Sequence, residues 1–271
     1  MSQAPGSPSE EVLLAAIERE LAKSQQIDQR IRAGDFGVEA GSDLEGDASK
    51  LAGLYDPSET VRRSIATAVS HCKAIYEALL IDGHGWLNSY YPLVRAVLEN
   101  AALAHWLVVP DSQEERCYRQ ILVGWTDLEE DRKSWTPGCD PQSQTYIAAM
   151  KERDDKKANA ESLAVAIGKP LPPNPQLHYV DPVKSLPISA NFNPPETIWR
   201  VCSGMAHGKT WAFQLLSGTQ GRFDRPDGGY RATFNLDLHA LLVCVGVAVY
   251  ALEQAVKLFD HRRSAPESTA E

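Results

Sequence analysis

Between Pro92 and Val109 the chain reads PLVRAVLENAALAHWLVV, and only Arg95, Glu99, Asn100 and His105 are polar. A helix that is apolar on nearly every side has to be covered on nearly every side. This segment therefore belongs at the centre of a layered helical protein. Arg95 and Glu99 are four apart, so they project from one face and can pair. Charges taken out of water are costly unless paired and hydrogen-bonded. The pair is thus either a structural pin or the lining of a polar pocket where another helix or a ligand docks. His105 lacks an acidic or cysteine partner at metal spacing and reads as a hydrogen-bonded core histidine.

The remaining elements follow from periodicity and punctuation. A first helix runs from Ser9 to about Arg32, and residues 34–53, rich in Gly and acidic side chains, read as a loop. Asp56-Pro57-Ser58 opens a helix to Ile81. The central helix closes at Pro110, a fourth runs from Asp111-Ser112 to about Trp135, and a fifth, more polar, covers 141–168. Eight prolines then fall between Lys169 and Pro195, which predicts a linker, a lid or a segment wrapped over the surface. A sixth helix starts at Pro195-Glu196 and carries IWRVCSGMAHGKTWAFQLL. Asp227-Gly228-Gly229 predicts a small β-hairpin, and a final helix spans about 236–260. The expectation is an all-α bundle of six or seven helices forming one domain over 9–262, with disordered ends at 1–8 and 263–271.

Composition narrows the classes. The net charge of −9 argues against coating nucleic acid or anionic membrane with the whole surface. The most apolar run, Ala240 to Leu252, has 13 residues, short of the roughly 18 to 20 that span a bilayer. It reads as a helix buried in protein, and no membrane partner is expected. The start MSQAPGSPSEE lacks the pattern of a secretory signal. Five scattered cysteines with no CxxC pair offer neither a zinc site nor a redox motif. The expectation is a cytoplasmic protein with reduced thiols, no metal and no cofactor.

The sixth helix carries the remaining polar candidates. Arg200, Ser203 and His207 fall on one face if the helix is regular, with a rise of about 10 Å from Arg200 to His207. Gly204 and Gly208 would let a neighbouring backbone approach, so Ser203 and His207 are candidates to meet Arg95 or Glu99. SGMAHGKT has a passing likeness to a phosphate-binding loop, but Ser203 occupies the first glycine position and no core strand precedes it. The six tryptophans sit mostly at helical spacing and read as core packing rather than a base-stacking platform.

RAVLENAALAHWL, followed much later by Ser203-Gly204-x-x-His207-Gly208, resembles a set of bacterial helical proteins that are in turn similar to the HEPN superfamily. Active members of that superfamily are metal-independent ribonucleases with an Arg and a His four to six residues apart. Arg200 and His207, separated by VCSGMA, fit the upper limit. The resemblance implies His207 as the acid/base, Arg200 as the phosphate-charge stabiliser, and a dimeric assembly, with RNA as the possible substrate. Lys209, Arg222, Arg225 and Arg231 could form a basic rim. The polar residue usual after the Arg is Val201 here. Two expectations follow: a non-catalytic binding or scaffold protein of a stress or defence system, acting as a homodimer or with a protein partner, or an endoribonuclease.

Overall fold

The computed structural model describes residues 8–81, 89–135, 138–189, 193–224 and 230–266, with the backbone alone for 218–233. Seven long helices are present among them: α1 (Glu10–Arg32), α3 (Pro57–Tyr76, prolonged by one wide turn Glu77–Ile81), α4 (Tyr90–Val108), α5 (Gln113–Trp135), α6 (Gln144–Ala166), α8 (Pro195–Ala206) and α10 (Leu238–Arg263). Three short ones are added: α2 (Asp43–Lys50), α7 (Val180–Lys184) and α9 (Thr210–Leu216). The fold is an all-α bundle with one antiparallel hairpin, β1 (Ser217–Asp224) paired with β2 (Tyr230–Leu236) from Ser217↔Leu236 to Asp224↔Tyr230. The predicted hairpin is correct, and its turn at 227–229 lies outside the described residues.

Local chemistry explains the helix ends. Asp56 caps α3 by accepting from the Ser58 and Glu59 amides at 2.9 and 3.2 Å, with Pro57 as the first helical residue. Asp237 does the same for α10 through His239 and Ala240. The expected loop at 34–53 is wrong in part, because it contains α2. Ser42 accepts from the Glu45 amide at 3.3 Å while the Glu45 carboxylate accepts from Gly41, close to a capping box.

α4 lies at the centre. It packs against α3 and α10, which also touch each other, and against α7 and α8. Val94, Leu98, Ala101, Ala102, Ala104 and Val108 have no exposed surface. α10 is 26 residues long and apolar enough to cross a membrane by length and composition, longer than its 13-residue apolar run suggested. Here that stretch is core: Cys244, Val249, Leu252, Ala255 and Phe259 are fully buried. Arg263, assigned to the tail from sequence, is still helical, and Ala265 donates to Glu39.

A second, smaller layer joins α2, α5 and α6 around Leu51, Cys117, Ile121, Ala160 and Ala164. Within it α2 is joined to α5 by Asp47 and Arg116, whose two parallel hydrogen bonds measure 2.7 and 2.9 Å with both side chains almost wholly buried. The Pro-rich segment is a strap. Pro175, Leu177, Pro182, Val183 and Leu186 are buried, and the Leu177 amide donates to Thr126 of α5 at 3.1 Å.

Candidate functional site

α8 places Ile198, Val201, Cys202 and Met205 toward the core, which leaves Trp199 on the edge facing α4. There Arg95 Nε donates to Glu99 Oε1 at 2.9 Å, and Trp199 Nε1 donates to the same oxygen at 2.7 Å. The Arg95 guanidinium stands 5.3 Å from the centroid of the Trp199 ring. Three side chains thus form a closed triangle of ion pair, charged hydrogen bond and cation–π contact. Arg95 and Glu99 do face α8, as their spacing suggested. Their partner is Trp199, and Ser203 and His207 make no hydrogen bond with either.

The predicted sixth helix is also broken. Gly208 adopts φ +63°, and the Gly208 and Lys209 amides return to the carbonyls of Met205 and Gly204 at 3.1 and 2.8 Å. This pair of bonds is the Schellman stop, which needs a left-handed residue and therefore favours glycine. α8 ends at Ala206, His207 is its C-cap, and the chain turns back as α9. Gly204 permits the reversal: a Cβ there would lie 2.7 Å from the Ala212 Cβ and 2.7 Å from the Trp211 ring. Its close neighbour is α9 and not α4.

Arg200 is exposed and held by Glu196 one turn earlier at 2.7 and 2.9 Å. His207 and Lys209 are also exposed, and Ser203 is half-buried. α8 is regular from Arg200 as far as His207, whose amide still donates to the Ser203 carbonyl at 3.1 Å, and it breaks only after His207. Both residues sit on an outward face. Arg222 and Arg231 lie on β1 and β2, whereas Arg225 falls outside the described residues. The segment 203–210 is a helix end and a turn, with none of the strand that a phosphate-binding loop requires. No group of three or more metal-ligating side chains occurs among the described residues.

One further reading is corrected. His105 is buried, but its Nδ1 has no hydrogen-bond partner, and burial beside Arg119 pushes its pKa below the usual 6.5. The tryptophans pack at the margin of the core, with Trp106 and Trp199 partly buried against the main cluster, Trp125 against the smaller one, and Trp211 exposed. Trp106 lies under Arg119 at 4.6 Å and Trp125 under Lys157 at 5.0 Å, repeating the Arg95–Trp199 arrangement. Trp86 lies outside the described residues. Sequence reasoning missed Trp199, which lies one hundred positions from Glu99 and carries no local signal of the contact.

α9 turns Trp211 and Leu215, four apart, outward at 46% and 64% exposure. Glu196, Arg200 and His207 belong to the adjoining helix α8 and its end. Comparison with protein-family models, curated proteins and solved structures finds no match to this chain.

Proposed function

We propose that this chain is a non-catalytic, HEPN-like binding module that self-associates through the α8–α9 face, in a reducing, cytoplasmic setting. The observation that carries the reading is the exposed pair Trp211 and Leu215 beside the Glu196–Arg200 pair. In a two-fold dimer the same patch meets itself, so residue i contacts j and j contacts i. Antiparallel apposition of two α8 helices would set each Arg200 against Glu196 of the other copy. Trp and Arg are the side chains most often found carrying interface energy.

Sedimentation equilibrium of the wild type and of Trp211→Glu/Leu215→Glu tests this. A dimer mass that falls to monomer in the double variant supports it; a wild-type monomer at high micromolar concentration ends it. Membership of a bacterial stress or defence system belongs to the same proposal and rests on the sequence resemblance.

The exposure of Arg200 and His207 favours one second reading, a metal-independent endoribonuclease. Against it, Glu196 already occupies the Arg200 guanidinium. RNA cleavage in EDTA by the wild type and by His207→Ala decides, and His207 is exposed at a helix end, so the variant should fold. The expected result is no cleavage by either.

A further inference from the structure

A groove of about 460 Å³ runs between the first turns of α3 and the middle of α5, under the turn that follows α2. That volume suits a small organic ligand. The charges around it are mostly committed elsewhere. Asp131 is taken by Arg153 at 2.8 Å, Lys156 by Glu152 at 2.7 Å and Glu59 by Arg62 at 2.8 Å, while Asp56 caps α3. Two are not. Among the described residues, the side chains of Arg63 on α3 and Asp127 on α5 make no hydrogen bond and no direct ion pair, although the Asp127 carboxylate feels the field of Arg63. One wall of the groove thus offers a free cation and the other a free carboxylate.

The floor and roof give the rest of the ligand's shape. Gln120 on the floor is 3% exposed; its Nε2 donates to Thr60 at 3.1 Å and its Oε1 accepts nothing. A buried amide oxygen without a donor is uncommon in native proteins. Tyr55 lies against Gly124 of α5 so closely that any Cβ at 124 would collide with its ring. With Leu128 it makes an apolar surface beside the two charges.

We propose that this groove binds a free α-amino acid with an apolar side chain, its carboxylate on Arg63, its ammonium on Asp127 and its side chain against Tyr55 and Leu128. A phosphate dianion is disfavoured by the surrounding carboxylates. A simple polyamine would leave Arg63 unmatched and face its repulsion. A ligand carrying both signs answers both walls.

The test uses the full chain and the free L-amino acids as probes, first by thermal melting and then by calorimetric titration. At least one apolar amino acid should raise the melting temperature with increasing concentration, as any ligand selective for the folded state does. Its N-acetyl and carboxamide forms should not. Asp127→Asn and Arg63→Gln should each weaken binding by about tenfold or more; both side chains are exposed, so both variants should fold. The proposal is overturned if no free amino acid shifts the melt, if a capped form binds as well as the free one, or if binding survives both substitutions.

Discussion

Glu99 on α4 receives the indole N–H of Trp199 on α8 at 2.7 Å, across one hundred positions of sequence. The same carboxylate oxygen already holds Arg95, so one atom joins a local ion pair to a long-range contact. Trp199→Phe keeps the ring over Arg95 and removes only the donor. Urea unfolding should show a loss of about 1 to 2 kcal/mol. In a cycle with Glu99→Leu, which removes the acceptor, the two changes should be non-additive. Strict additivity would mean that the bond contributes nothing.

The Asp47–Arg116 pair predicts a larger effect. Arg116 also donates to the carbonyls of Pro110 and Asp111, so its guanidinium is fixed in place. Asp47→Ala would strand that charge at 3% exposure, a change that costs about 3 to 5 kcal/mol in buried pairs. Denaturant midpoints of wild type and variant measure it. A loss under about 1 kcal/mol would show that water reaches Arg116 once α2 loosens.

The thiols give a test of packing. Burial pushes Cys72 up to about 12 and Cys117 to about 11, and Cys202 rises through its hydrogen bond with Cys244 and its burial. Of the five free cysteines only Cys139 has accessible surface in the described structure. A thiol reagent at mildly alkaline pH should modify one site per folded chain and five after unfolding, with mass spectrometry placing the first at Cys139. Fast native modification of Cys202 or Cys244 would contradict the α8–α10 packing.

His105 makes stability pH-dependent in a window of its own. Its folded pKa lies below 6.5, because burial and Arg119 oppose the charged form. Between that value and 6.5 the unfolded chain binds a proton that the folded chain refuses, so stability is complete above 6.5 and falls as the solution is acidified. Glu114, held down to about 2 by Lys50, loses its contribution only below the usual 4.5. Unfolding free energy should therefore start to fall just below pH 6.5, and His105→Leu should flatten that first segment while leaving the more acidic one. An unchanged profile would remove His105 as the cause.

What could be read in advance was what neighbours in sequence decide. Asp56-Pro57 marked the start of α3, the Asp-Gly-Gly turn marked the hairpin, and the four-residue spacing of Arg95 and Glu99 gave their pairing. α2 was hidden because its Ser42/Glu45 cap sits in a stretch whose glycines suggest a loop. The α8–α9 break was hidden for the opposite reason, since Trp211 and Leu215 continue the period past Gly208. Only the conformation of that glycine, set by two backbone bonds, stops the helix. Trp199 on Glu99, and Arg63 opposite Asp127, are products of packing between helices far apart in the chain. No local pattern encodes them.

The central position of α4 also has a consequence for synthesis. The Val108 carbonyl waits for Arg262, 154 residues downstream, and the Tyr91 hydroxyl waits for the Leu216 carbonyl, 125 downstream. At roughly 5 to 20 residues per second, α4 spends about 8 to 30 s outside the ribosome before the α10 end that covers it has been made. During that interval the least water-compatible helix of the chain is sheltered on the α3 side and later by α7 and α8, while its α10 face stays open. The Arg95–Glu99 pair, closed within one turn of α4 itself, is the polar feature it carries from the start, and a chaperone that recognises exposed aliphatic helix would meet this protein at that stage.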